Sequence, residues 1–135
     1  MAKWCSTMFQ DAALVWLQNN VNKMVLLTAT VSTINAAGCT ATTYLNLTTL
    51  STGSFTIADD TTNLGRKITI AAQATKAVNA TGIAAHIALF SSATENATQS
   101  ATGIFYITSC TTQVLGSTLN KVSYPAWSIT IQDPT

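Results

Sequence analysis

The sequence contains very few charged side chains. They occupy 8% of its 135 positions, with six Lys or Arg, five Asp or Glu, and a formal net charge of +1. An average soluble protein has about 25% charged residues. Because binding to phosphates needs clustered Lys and Arg, this composition argues against a nucleic-acid partner. It also leaves little material for acid–base catalysis, since the chain has a single histidine.

The sequence also lacks a long apolar run. A transmembrane helix needs about 20 consecutive apolar residues. Two long stretches are uncharged, from Met24 to Ala58 and from Asn96 up to Lys121, but Thr, Ser and Asn interrupt both of them. The opening residues Met1–Cys5 do not begin the apolar core of a signal peptide. We therefore expect synthesis in a cytoplasm without export, and no membrane partner.

Cysteine is too sparse to build a disulfide framework. The three cysteines, Cys5, Cys39 and Cys110, are odd in number and widely spaced, and no C-x-x-C pair occurs. This spacing is not typical of a metal site or of a small disulfide-stabilised domain. In a protein that is not exported, reduced thiols are the expectation.

The composition that is present favours a folded protein. Hydrophobic residues make up 47% of the chain, and 25 Thr with 11 Ser account for 36 of the 135 positions. Disordered chains combine low hydrophobicity with high net charge, which is the opposite pattern. The length predicts one domain over residues 1–135 with a sizeable core. A surface so poor in charge is better tolerated where neighbours cover it, which hints at an assembly component.

The N-terminal segment has the spacing of a helix over Thr7–Asn19. Thr7 with Gln10 fits a capping box, and Asn19 followed by Asn20 is a plausible helix end. Apolar residues recur at spacings of three and four and predict the buried stripe of this helix: Phe9, Ala12, Ala13, Trp16 and Leu17.

Short β-type segments follow, separated by turn signals about every ten residues. With no helical pattern between them, they predict a mainly β chain: an antiparallel β-sandwich or barrel-like domain of about eight strands with one short N-terminal helix. The candidate strands are Met24–Ala29, Tyr44–Leu50, Ser54–Ile57, Lys67–Ala71, Lys76–Asn79, Ile83–Phe90, Ile104–Thr108, Leu119–Tyr124 and Trp127–Gln132.

Two groups could carry chemistry. His86 is the only histidine, and no nucleophile-elbow motif accompanies it, so a structural or surface role is favoured over catalysis. Asp59-Asp60 could form a calcium loop or a pair of catalytic carboxylates. The Asp-x-Asp-x-Asp-Gly spacing of a calcium loop is absent, and a turn whose carboxylate accepts local N–H groups is favoured over both. We therefore predict no enzyme activity, no cofactor and no metal.

Four residues are candidates for contact with a partner. Arg66-Lys67 is the only adjacent basic pair, and it could anchor an acidic surface or simply mark the start of a strand. Trp4 and Tyr124 lie outside clear periodicity, and aromatic residues occur both in cores and at interface hot spots. Trp127, in contrast, alternates with Ile129 and is expected in the core, as is Trp16.

The order of segments along the whole chain resembles a known family. The segments are the helix Phe9–Leu17, Lys23–Leu27, Ala58–Thr62, Gly65–Ile70, Gly82–Leu89, Ile104–Thr108 and the closing Pro125–Thr135. This set is similar to small structural proteins of tailed bacteriophages, of the head decoration or capsid cement type. The Gly-Arg-Lys strand and the Asp-Pro-Thr end contribute most to the likeness.

The resemblance implies a virion protein on the capsid exterior, made in the cytoplasm of a bacterial host. Its partners would be the major capsid protein and other copies of itself, as a homo-oligomer such as a trimer. The main alternative is a β module of the virion tail, baseplate or fibre. A small hydrolase or a lectin-like binder is less favoured, and the missing export signal disfavours a surface-layer or adhesion domain.

Overall fold

The computed structural model describes residues 5–29, 44–62, 64–91, 104–116 and 121–133. Within them the chain forms one α-helix, one 3-10 turn at Thr52–Ser54, and nine strands. The elements are α1 (Thr7–Asn20), β1 (Lys23–Leu27), β2 (Tyr44–Thr49), β3 (Phe55–Asp59), β4 (Gly65–Ile70), β5 (Gln73–Ala77), β6 (Gly82–Phe90), β7 (Ile104–Leu115), β8 (Lys121–Tyr124) and β9 (Trp127–Gln132).

The predicted mainly β architecture with one N-terminal helix is confirmed. The strands form a four-stranded sheet in the order β2-β1-β6-β7, a three-stranded sheet β3-β4-β9 and a pair β5-β8. All strand pairings among the described residues are antiparallel, and the arrangement is sandwich-like. The compact apolar run of β1 lies between β2 and β6, as its composition predicts for an inner strand.

The main core lies on one face of the four-stranded sheet. There, Met24 and Leu26 of β1 join Leu14 of the helix, Ile68 of β4 and Val122 of β8 in one buried cluster. Alternate residues of the same sheet point the other way, and they form a second buried cluster of Val25, Leu27, Ala88 and Phe90. The sheet is thus buried on both faces, which explains the nearly continuous apolar sequence of β1.

Strand β7 is longer than the sequence predicts. The apolar pattern ends near Thr108, but the strand continues to Leu115 through a polar segment. Two irregularities interrupt its pairing with β6. At the larger one, Ser109 pairs with His86 and Gln113 with Ala84, so four steps along β7 match two along β6. Hydroxyl-rich exposed residues carry no apolar alternation, so periodicity could not reveal this half of the strand.

The helix packs against β3 and β4 with a different face from the one predicted. Its buried residues are Gln10 and Leu14, with Leu17 packed against the core. Phe9 and Trp16 are 74% and 53% exposed. The prediction of a buried Phe9, Ala12, Ala13 and Trp16 stripe is therefore wrong. The helix has apolar residues on both sides, so the spacing alone could not select the side that meets the sheets.

The predicted capping box is also wrong. Ser6 is the N-cap residue, and no side chain caps the helix start. Gln10 instead lies on the buried face, where its Nε2 donates to Asp133 Oδ1 at 2.8 Å. The helix ends at Asn20, whose Nδ2 donates to the Trp16 carbonyl at 2.7 Å.

In the described part of the chain, no helix has the length and apolarity needed to cross a bilayer.

Candidate interaction surface

The helix presents an uncharged apolar face to solvent, which we call the outer face of α1. It is formed by four large side chains with the exposed Ala12 and Ala13 between them. Their exposed fractions are 80% for Met8, 74% for Phe9, 41% for Val15 and 53% for Trp16. A contiguous patch of exposed large apolar side chains often marks a site of contact with another molecule. The outer face is therefore the strongest candidate in the described residues for contact with another molecule.

Arg66 of β4 binds Asp11, which is the single charged residue of α1. The Arg66 guanidinium donates from Nε to Asp11 Oδ1 at 2.6 Å and from Nη2 to Asp11 Oδ2 at 3.1 Å. Its Nη1 donates to Asp59 at the end of β3. These carboxylates, first through the hydrogen bonds of Asp11 and then of Asp59, raise the pKa of Arg66. The two-pronged contact fixes the helix on β3 and β4.

A glycine precedes Arg66 at the start of β4. Gly65, just before it, has a φ of +145°, a conformation that L side chains rarely adopt. A Cβ at Gly65 would collide with the carbonyl oxygen of Ile131 on β9. Glycine at this position therefore allows β4 and β9 to approach closely beside the ion pairs.

Asp60 acts as the predicted turn residue. Its side chain is 5% exposed, with Oδ1 accepting from the Thr62 N–H at 3.1 Å and Oδ2 from Thr130 Oγ1 at 3.0 Å. Lys67 Nζ lies 4.0 Å from Asp60 Oδ1. Arg66 and Lys67, both suggested by sequence as contacts for an acidic partner, thus each face an aspartate of their own chain.

Tyr124 belongs to the core rather than to the surface. It is 5% exposed, and its hydroxyl donates to Asn46 Oδ1 at 2.6 Å. The same Asn46 oxygen accepts from Thr48 Oγ1 at 2.9 Å. Burial raises the pKa of Tyr124, and a hydrogen bond with Thr48 opposes the shift. The remaining interface candidate, Trp4, lies outside the described residues.

His86 is not assembled with a catalytic partner in the described part of the chain. On β6 it lies opposite Leu27 of β1 and Ser109 of β7. Its Nδ1 atom is buried without a hydrogen-bond partner among the described residues. The same residues contain no group of three His, Cys, Asp or Glu side chains that could hold a metal ion. Cys5 and Cys110 are free thiols.

A cavity of about 550 Å³ opens between β6–β7 and β8–β9. One wall is a stacked aromatic pair, Tyr106 and Trp127, with ring centres 6.0 Å apart and planes inclined by 30°. Trp127 also packs against the main core, as its alternation with Ile129 predicted. Neither this cavity nor the outer face of α1 was identified from the sequence. The sequence did contain an indication of the outer face, because the apolar residues of the helix fall on two sides and the core covers only one of them.

Comparison with known proteins finds no match to a protein-family model, to a curated protein or to a solved structure.

Proposed function

We propose that this chain is a virion structural protein that binds the exterior of the mature capsid of a tailed bacteriophage and stabilises it as a decoration or cement protein. The observation that carries the proposal is the outer face of α1, where Phe9 and Trp16 lie exposed on a helix without a free charge. The order of segments along the chain supports the same assignment.

The composition of the surface fits a protein that works within an assembly. Among the described residues, the charged groups of Arg66, Asp11 and Asp59 pair with one another and hold the helix in place. What remains on the outer face is apolar area, which associates through the hydrophobic effect and tolerates high salt. Antiparallel sheets with a continuous core would resist deformation when the packaged genome pushes on the shell.

The mechanism follows from differential affinity. A protein that binds the expanded capsid lattice, but not the precursor shell or free subunits, shifts the equilibrium toward the expanded lattice. At a free concentration one hundred times the dissociation constant, each occupied site adds about 2.7 kcal/mol. No chemical reaction is required for this stabilisation.

Co-sedimentation with capsid shells tests the proposal. The purified chain is mixed with expanded shells and with unexpanded precursor shells assembled from the major capsid protein of the same virus. We expect binding to the expanded shells and much weaker binding to the precursors. Phe9→Gln should weaken binding by about tenfold or more, because burial of a Phe side chain contributes about 1.5–3 kcal/mol.

Val114→Gln is the matched control, since Val114 is 75% exposed but lies on β7 rather than on α1. It should bind like the unchanged protein. Absence of the chain from expanded shells would overturn the capsid assignment, and recovery on tail or baseplate structures would favour the tail module instead. Native mass measurement of the free protein tests the accompanying expectation of a homo-oligomer such as a trimer.

A further inference from the structure

The cavity beside β7 has the size of a small-molecule site. Its volume of about 550 Å³ falls within the roughly 300–1,000 Å³ of typical ligand pockets. It lies where the four-stranded sheet meets β8 and β9, and none of the described residues that line it belongs to α1. Leu26 and Ile87 form its floor from the main core, and Val122 and Pro125 contribute apolar sides.

Its lining carries no charge. None of the described residues around the cavity is Asp, Glu, Lys, Arg or His. Cys110 and Tyr124, which both line the cavity, have pKa values raised by burial, so both side chains stay neutral at physiological pH. A charged ligand would lose its hydration without gaining a counter-charge, so the cavity selects against ions.

The aromatic wall favours a flat ring. Tyr106 pairs with Leu89 of β6, and its ring stacks on Trp127 of β9. The two rings thus line the cavity as one stacked pair. Aromatic rings gain about 0.5–1.5 kcal/mol from stacked or edge contacts beyond the burial of their area.

The irregular pairing of β7 gives the cavity its polar rim. Between the pairs His86–Ser109 and Ala84–Gln113, β7 has two more residues than β6, which displaces Cys110–Thr112 from regular pairing. Bulges of this kind often redirect side chains beside functional sites. Thr111 and Gln113 both line the cavity, and their side chains have no hydrogen-bond partner among the described residues.

We propose that this cavity is a binding site for a neutral, planar aromatic molecule, which packs against the stacked Tyr106–Trp127 pair and is hydrogen-bonded at its edge by Thr111 and Gln113. The proposal does not rest on the outer face of α1, since no described residue of that helix lines the cavity. Its occupant would add to the stability of the chain by binding only the folded state.

A matched pair of probes tests the proposal on the full-length protein. 2-Naphthol is neutral at pH 7, and 2-naphthoate has the same ring system with a negative charge. The readout is the alkylation rate of Cys110, which lines the cavity and is partly exposed. It is followed by mass spectrometry in a Cys5→Ser, Cys39→Ser background. At ten times its dissociation constant, 2-naphthol should slow alkylation about tenfold, whereas 2-naphthoate at the same concentration should have little effect.

Two neighbouring substitutions locate the binding. Thr111→Trp places a large ring at the rim and should abolish the protection. Thr112→Trp is the control, because Thr112 is also exposed on β7 but does not line the cavity. Both positions are exposed in a strand, where Trp is well tolerated, and circular dichroism confirms that each variant folds.

Each possible result of these measurements either supports or overturns the proposed site. Protection by 2-naphthol that is lost in Thr111→Trp and retained in Thr112→Trp supports the site. Three outcomes would overturn it: no protection up to the solubility limit of 2-naphthol, equal protection by 2-naphthoate, or equal loss in the two Trp variants. A parallel measurement on Phe9→Gln should give unchanged protection, since binding of the probe to the helix would not shield Cys110.

Discussion

Gln10 and Asp133 are 123 positions apart in sequence and are joined by a hydrogen bond of 2.8 Å from Nε2 to Oδ1. The contact ties the first turns of α1 to the residue that follows the last strand. Gln10 is completely buried, and its Oε1 atom has no partner among the described residues. The buried Gln10 side chain therefore joins the helix to the end of β9.

Gln10→Ala should lower the free energy of unfolding by about 1–3 kcal/mol, because it removes this hydrogen bond and leaves unfilled space. Urea denaturation measures the change. Gln18→Ala is the control: its Nε2 donates to the Thr52 carbonyl at 3.2 Å in an exposed position. We expect a change within about 0.5 kcal/mol there. Equal losses in both variants would contradict a special role for Gln10.

The orientation of the helix can be tested with one substitution on each side. Leu14 is 2% exposed, so Leu14→Ala should cost about 2–5 kcal/mol of unfolding free energy. Phe9→Ala, at a position 74% exposed, should change stability by no more than about 0.5 kcal/mol. If the apolar stripe predicted from spacing were the buried one, thermal denaturation would show the reverse order.

The buried hydroxyl of Tyr124 stabilises the core through Asn46. Tyr124→Phe should reduce the free energy of unfolding by about 1–2 kcal/mol, since Asn46 Oδ1 loses one of its two donors. Tyr106→Phe is the matched control, because no hydrogen bond of the Tyr106 hydroxyl is present among the described residues. An equal loss in the two variants, measured in urea, would argue against the Asn46 contact.

The same tyrosine should make the fold sensitive to alkali. Its folded-state pKa is raised above the ordinary value of about 10, chiefly by burial. Above that value the unfolded state loses the proton first, so the contribution of Tyr124 is complete below pH 10 and is lost as the pH rises further. Unfolding followed from pH 9 upward should show a steeper loss of stability for the unchanged protein than for Tyr124→Phe. Parallel curves would contradict this.

Local sequence patterns determined the identity of most elements. The strand Trp127–Gln132 has the predicted bounds, and alternation or compact apolar runs located the other strands to within a few residues, apart from the second half of β7. These features depend on neighbours in sequence, because a pleated strand imposes its two-residue period on the side chains directly. The turn role of Asp60 is equally local, since its Oδ1 accepts from an N–H two residues away.

The environments of the interface residues suggested by sequence were decided by tertiary contacts. Arg66 and Lys67 are basic in sequence, but their exposure to a partner is decided by Asp11 and Asp60, which the fold brings beside them. Tyr124 falls outside a clear period, yet the position of Asn46 on β2 makes it a core residue. No sequence pattern encodes such pairings, because their members are up to 78 positions apart.

The amino-acid sequence by itself determined a low-charge, hydroxyl-rich β chain that begins with a helix near its N-terminus, because composition and periodicity act residue by residue. Only the tertiary structure decided which side of that helix is buried. Both sides offer apolar area, so hydrophobicity cannot separate them. In the folded chain the buried side also carries the Asp11–Arg66 ion pair and the Gln10–Asp133 hydrogen bond, whereas Phe9 and Trp16 remain largely exposed.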